Sequence, residues 1–108
     1  MWVINIQHWL DDTKTGPAVP RLRSKVKHLS EIITYATSEI AGISTDSSPR
    51  CWRRPGRRPC RGIPDIFLDP ATDEISWYCS ECGDEGVISG WQGLIWDMTD
   101  ILMDENVH

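Results

Sequence analysis

Residues 51–82 read CWRRPGRRPCRGIPDIFLDPATDEISWYCSEC and contain all four cysteines of the chain, in two close pairs. No apolar run approaches the roughly 18 residues of a membrane span, and no basic segment precedes the apolar N-terminus. We therefore expect a soluble, cytoplasmic protein without a membrane partner. Clustered thiols in that reducing compartment bind metal more often than they form permanent disulfides. The stretch predicts a four-thiolate metal site made by Cys51, Cys60, Cys79 and Cys82.

The second pair lies in Trp77-Tyr78-Cys79-Ser80-Glu81-Cys82-Gly83, which enters from an aromatic strand and leaves through a glycine. Glycine permits the positive φ that a tight turn around a metal requires, and such a turn directs backbone N–H groups at the thiolates. These seven residues resemble the knuckle of zinc-ribbon proteins. The resemblance implies a bound zinc ion and a zinc-ribbon-like module.

The first pair, Cys51 and Cys60, departs from the zinc-ribbon pattern, in which the knuckle is usually paired with a second C-x-x-C. If Pro55 and Gly56 form the tip of a hairpin, the two thiols become direct cross-strand neighbours, close enough to share one zinc ion. Pro-Gly favours a type II turn, whereas tight hairpins prefer types I′ and II′, so the register is a hypothesis. The predicted pairs are Arg54 with Arg57, Arg53 with Arg58, Trp52 with Pro59, and Cys51 with Cys60.

Three other uses of the cysteines compete with a metal site. Cys51 and Cys60 could form a disulfide, Cys79 and Cys82 could form a redox dithiol, or all four thiols could be inert. A redox dithiol normally lies at the N-terminus of a helix, whereas Cys79 and Cys82 follow a predicted strand, which weakens the redox alternative. Zinc is favoured over iron because nothing else suggests electron transfer, although four thiolates hold either metal. Four protein ligands leave no open position, so the zinc is expected to be structural.

The front of the chain predicts a strand followed by a long amphipathic helix. A strand is predicted over 2–10, because Trp2, Ile4 and Ile6 alternate with Val3, Asn5 and Gln7 at the period of a half-buried strand. A helix is predicted over 21–41, because apolar residues recur at spacings of three and four; Pro20 suits its first turn and Gly42 the position after its end. The apolar positions are Leu22, Val26, Leu29, Ile33, Ala36 and Ile40.

The back of the chain predicts two strands over 63–68 and 74–79, a very short one over 86–89, and a short acidic helix over 98–104. Asp97 would cap that helix, with Trp96 packed on Ile101. The fold class is therefore α+β: a small antiparallel sheet, one long helix and the four-cysteine module. A polar linker over 44–49 separates residues 1–49 from 50–108 within one compact domain.

Charge is strongly segregated. Residues 50–61 hold six arginines and no acid, whereas 62–108 hold eleven acids and no Lys or Arg, within a net charge of −5. The facing arginines predict an anion or partner site at Arg53, Arg54, Arg57 and Arg58. Carboxylates of this chain or of a protein partner are favoured over nucleic acid, since a polyanion would also meet the acidic half. The internal candidates are Asp84, Glu85, Asp97, Asp100, Asp104 and Glu105; Arg21, Arg23, Lys25 and Lys27 could extend the basic surface.

The remaining chemistry-bearing residues assemble no active site, so the sequence leans against an enzyme. His8, near Asp11 and Asp12, is expected to be a solvated or hydrogen-bonded histidine at the end of a strand. His28 is expected to be exposed. The six tryptophans chiefly predict core packing, with Trp52 or Trp91 as the alternative platforms for a ligand.

The leading hypothesis is a small zinc-stabilised binding or adaptor protein, either a monomer or a homodimer. The alternatives are a small enzyme using His8 and its neighbouring carboxylates, a nucleic-acid-binding zinc ribbon using residues 50–61, and an iron electron carrier. The segment from Cys79 to Asp97, with Ile4-Asn5-Ile6 and His8-Trp9-Leu10, also resembles a family of small bacterial proteins. That resemblance implies a bacterial origin and no particular activity.

Overall fold

The computed structural model describes residues 2–43 and 49–99, which form a four-stranded sheet with one long helix. The strands are β1 (Trp2–Asn5), β2 (Asp65–Asp69), β3 (Glu74–Tyr78) and β4 (Glu85–Ser89), and the helix is α1 (Arg23–Ala41). Short 3-10 helices cover Ile6–Trp9 and Pro20–Leu22, and Pro55–Arg57 forms a turn in which Gly56 is left-handed. Within the described part of the chain, no helix has the length and apolar character required to cross a membrane.

The sheet is mixed, so the predicted antiparallel sheet is wrong at one strand. The order is β1-β4-β3-β2, in which β2, β3 and β4 pair antiparallel and β1 pairs parallel with β4. The chain between β1 and β4 passes through α1 and the β2–β3 hairpin before it returns in the direction of β1. A parallel pair needs such a crossover.

The predicted N-terminal strand ends early, at Asn5. The Asn5 side chain accepts a hydrogen bond from the Gln7 backbone N–H at 3.1 Å and caps the following 3-10 helix. The alternation within the strand is confirmed, because Ile4 is buried while Val3 is 74% exposed. Ile6 is also buried, but it lies in the following 3-10 helix. Asparagine favours this capping geometry, since its side-chain oxygen replaces a missing backbone partner.

The long helix matches its prediction closely at the C-terminal end, where Gly42 adopts a left-handed φ of 73°. Its buried face differs from the predicted one, because Ile40 is 61% exposed and Thr37 is buried. The Thr37 hydroxyl donates to the Ile33 carbonyl at 2.7 Å and accepts from the Met98 N–H at 3.1 Å. The last turns of α1 therefore contact the segment before the C-terminus through a polar anchor.

The core lies between α1 and one face of the sheet. Trp91 also belongs to it, and its indole N–H donates to the Asp73 carbonyl at 2.7 Å, which identifies this tryptophan as a packing residue. Burying this apolar surface is the main contribution to the stability of so small a domain. The buried apolar side chains are Ile4, Ile6, Leu10, Val26, Leu29, Ile32, Ile33, Ala36, Ile75, Trp77, Ile88, Trp91 and Leu94.

At the C-terminal end, Met98 and Thr99 begin a helix behind Asp97. The Asp97 carboxylate accepts from the Thr99 N–H at 3.0 Å, as predicted for the capping residue. The rest of the predicted helix, including the Trp96–Ile101 contact, lies outside the described residues. The predicted linker also falls there, apart from its last residue, Pro49.

Candidate metal centre

The fold brings the four cysteine sulfurs together, all within 4.8 Å of one another. The shortest separations join the two halves of the site, at 3.5 Å between Cys51 and Cys82 and 3.7 Å between Cys60 and Cys79. Four sulfurs held about 2.3 Å from a common zinc ion at tetrahedral angles lie about 3.8 Å apart. All four cysteines are free. The group is positioned to bind a metal ion.

Cys79 and Cys82 lie on the turn that joins β3 to β4. The turn is closed by hydrogen bonds from Gly83 N–H to the Cys79 carbonyl at 2.7 Å and from Cys79 N–H to the Asp84 carbonyl at 2.8 Å. Gly83 has the positive φ, 78°, that its place in the sequence predicts. The strand register of β3 and β4 thus fixes one pair of sulfurs at the end of the sheet.

The backbone of this turn also favours the thiolate. Burial raises the pKa of the Cys79 thiol, but hydrogen bonds from the backbone amides of Cys82 and Glu81, together with those of the Cys60 and Cys51 thiols, outweigh it, so the pKa is lowered. At Cys51 the balance is reversed, and burial raises the thiol pKa far above its ordinary range. A bound cation would compensate the charge of a buried Cys51 thiolate.

Cys51 and Cys60 come from the loop 49–62, and its predicted hairpin register is wrong below the tip. Pro55 and Gly56 do form the tip, closed by a hydrogen bond from Arg57 N–H to the Arg54 carbonyl at 3.1 Å. Beyond it, Cys60 N–H donates to the Arg53 carbonyl at 2.9 Å and Cys51 N–H to the Gly62 carbonyl at 3.0 Å. Cys51 and Cys60 are therefore not direct cross-strand partners, and Arg53 does not face Arg58.

The physical reason for this slip is the turn itself. Gly56 and Arg57 both adopt left-handed backbone conformations, with φ of 61° and 66°. A Pro-Gly turn does not match the twist of paired strands, so the returning chain continues for two more residues before it pairs again.

Gly62 is a site residue that the sequence analysis missed. Its N–H donates to the Cys60 sulfur at 3.4 Å, and a Cβ at this position would lie only 2.6 Å from the Cys79 sulfur. Only glycine allows the backbone so close to the thiol cluster. The sequence signal for this role is a glycine placed two residues after a predicted metal-binding cysteine.

Asp84 connects the loop to the sheet. Its buried carboxylate accepts hydrogen bonds from the indole N–H groups of Trp52 at 2.9 Å and Trp77 at 3.0 Å, and lies 3.7 Å from the Arg53 guanidinium. Trp77 belongs to β3, whereas Trp52 and Arg53 follow Cys51 directly. One carboxylate therefore holds the metal-site loop on the sheet, an arrangement that local sequence patterns do not reveal.

His28 is buried, contrary to the prediction that it is exposed. Its ring stacks on Trp52 with centroids 4.8 Å apart and planes 11° from parallel. Burial lowers the pKa of His28, and the negative charge of Asp84 opposes this shift without reversing it. The prediction failed because it considered only the neighbouring lysine on the helix, whereas a residue from a distant loop covers this ring.

The predicted arginine site is only partly paired within the chain. Arg53 lies beside Asp84, whereas Arg54, Arg57 and Arg58 are exposed and have no acidic partner among residues 2–43 and 49–99. Asp97 is occupied by the Thr99 side chain and the backbone N–H groups of Gly93 and Thr99. Of the other predicted internal partners, Glu85 forms no ion pair with the loop, and Asp100, Asp104 and Glu105 lie outside the described residues.

The remaining candidates are the basic residues at the start of α1, and His8 with its neighbouring carboxylates. Of the basic residues before and within α1, Lys25 alone lies over the rings of Trp2 and Trp9, and Arg21, Arg23 and Lys27 are exposed. His8 is also exposed. A hydrogen bond from Thr13 lowers the pKa of Asp11, a shift opposite to that of a catalytic acid.

Comparison with known proteins found no matching family model, no matching curated protein and no matching solved structure. The resemblance of the C-terminal segment to small bacterial proteins therefore receives no support from a family match.

Proposed function

We propose that Cys51, Cys60, Cys79 and Cys82 hold one structural zinc ion in a small binding protein, with a knuckle of the zinc-ribbon type at Cys79–Cys82. The observation that carries the proposal is the convergence of four sulfurs from two distant segments within 4.8 Å of one another, with the two shortest separations, 3.5 and 3.7 Å, close to the tetrahedral value. Four thiolates complete the coordination shell, so the ion stabilises the fold and leaves no position for substrate.

Protein purified without added metal is expected to contain one zinc ion per chain by elemental analysis, because unfilled thiolates in this cluster would repel one another. Removal of the ion with a strong chelator should release the loop 49–62, visible as loss of dispersed NMR signals from its amides. A folded protein with less than about a tenth of an equivalent of metal would contradict the site. A stoichiometric amount of iron, visible as a red colour, would contradict zinc and support the alternative of an iron electron carrier.

The binding surface that we propose is the tip of the arginine loop, and its partner is an acidic segment of another protein. Arg57 and Arg58 are exposed and lack an internal acidic partner in the described residues. Guanidinium groups pair with carboxylates through two parallel hydrogen bonds. Nucleic acid is the less favoured partner, because the chain carries a net charge of −5 and its acidic half would repel a long polyanion.

The double variant Arg57→Gln and Arg58→Gln is expected to weaken binding of a glutamate-rich peptide by about tenfold, measured by fluorescence anisotropy at low salt. The matched control, Arg21→Gln with Arg23→Gln, removes the same charge from exposed positions elsewhere and should change binding by less than about threefold. An oligonucleotide of equal charge should bind more weakly than the peptide. If the oligonucleotide binds more tightly and loses that binding in the loop variant, the protein-partner proposal is wrong.

A further inference from the structure

A cavity of about 560 Å³ opens between the metal-site loop, the start of α1 and the β3–β4 turn. Its volume falls within the range of pockets that take small organic ligands, about 300–1,000 Å³. The Cys82 residue forms part of its wall, so the proposed zinc site fixes one side of the cavity. The lining residues are Trp2, Lys25, Trp52, Arg53, Arg54, Cys82, Gly83, Asp84 and Glu85.

Three cations from two separate elements face this cavity: Lys25 from α1, and Arg53 and Arg54 from the loop. Lys25 and Arg54 have no acidic partner among residues 2–43 and 49–99, and Arg53 shares the buried Asp84 carboxylate with two indole N–H groups. The two lining acids are Asp84, whose carboxylate already accepts from two indole N–H groups and lies beside Arg53, and Glu85. The lining side chains other than Cys82 therefore carry three positive and two negative charges, a net charge of +1.

Two indole rings, inclined to each other, supply an apolar wall beside these cations. The rings of Trp2 and Trp52 lie 5.9 Å apart, inclined by 56°. One face of Trp52 is covered by His28, which holds the ring in place. The Lys25 ammonium lies 5.7 Å from the centroid of Trp2, so positive charge and aromatic surface adjoin directly. This combination suits a ligand that has both a flat ring and an anionic group.

We propose that the cavity binds a small organic anion in which a flat ring carries a phosphate or carboxylate group. The ring stacks against the tryptophan wall, and the anionic group lies among Lys25, Arg53 and Arg54. This site is separate from the proposed protein-binding surface, which uses Arg57 and Arg58, residues that do not line the cavity. A small ligand and a protein partner therefore use different arginines of one loop.

The test is titration of the metal-loaded protein, followed by the indole N–H signals in ¹H–¹⁵N NMR spectra. AMP and phenylacetate supply a ring with a phosphate or a carboxylate, adenosine and phenylacetamide supply the rings without charge, and inorganic phosphate and acetate supply the charge without a ring. At least one ring-bearing anion should shift the Trp2 and Trp52 signals and bind about tenfold more tightly than both of its counterparts. Which anion responds identifies the anionic group.

Two substitutions with matched controls locate the binding. Arg54→Gln and Lys25→Gln should each weaken binding of the responding anion by about fivefold or more, whereas Arg58→Gln and Lys27→Gln should leave it within about twofold. The proposal is overturned if neither anion shifts these indole signals at roughly 1 mM, if the uncharged rings or ringless anions bind equally well, or if the cavity variants behave as their controls do.

Discussion

The Cys79→Ser variant is expected to lose stoichiometric metal and the folded structure around it. Cys79 is fully buried at the end of β3, and the other three sulfurs surround it. Apparent zinc-binding free energies at structural sites in zinc-finger peptides, about 10–16 kcal/mol, equal or exceed the total stability of most small domains, about 5–15 kcal/mol. Elemental analysis and thermal unfolding by circular dichroism measure the effect.

The matched control for this variant is Ser80→Ala, an exposed position in the same turn. It should keep one metal ion and change the free energy of unfolding by less than about 0.5 kcal/mol. Chelation of the parent protein should produce the same altered state as Cys79→Ser. If Cys79→Ser holds a full equivalent of metal with an unchanged Tm, the structural role of the site is refuted.

Replacement of Asp84 by alanine is expected to reduce the free energy of unfolding by about 2–5 kcal/mol. The substitution leaves the Trp77 indole N–H buried without its acceptor and removes the acceptor of Trp52. An unsatisfied buried donor costs about 1–3 kcal/mol, and a hydrogen bond to a charged group contributes about 1.5–3 kcal/mol. Urea unfolding followed by tryptophan fluorescence measures the loss.

Two further variants distinguish the loss of the Asp84 hydrogen bonds from the loss of a negative charge alone. Asp65→Ala removes an exposed carboxylate and should change stability by less than about 0.5 kcal/mol. Asp84→Asn retains an oxygen that can accept both indole N–H groups and should cost less than Asp84→Ala. Equal stability of Asp84→Ala and Asp65→Ala would show that Asp84 does not hold the loop on the sheet.

Patterns within short stretches predicted much of this molecule. The end of α1 at Gly42, the inward positions Ile4 and Ile6, and the β2–β3 hairpin follow from residue spacing and turn chemistry, because neighbouring residues determine them. The turn from Cys79 to Gly83 belongs to the same class. Its four-residue C-x-x-C spacing and its glycine were enough to predict where two of the sulfurs would lie.

Tertiary structure alone decided how these pieces meet. The parallel placement of β1 beside β4, the burial of His28 under Trp52, and the contact between Asp84 and Trp52 join residues far apart in the chain, so no local pattern predicts them. The sequence by itself predicted that the two cysteine pairs share one metal site. The packing of the loop against the sheet decided which sulfurs lie nearest across that site, Cys51 with Cys82 and Cys60 with Cys79, because the two segments are distant in the chain.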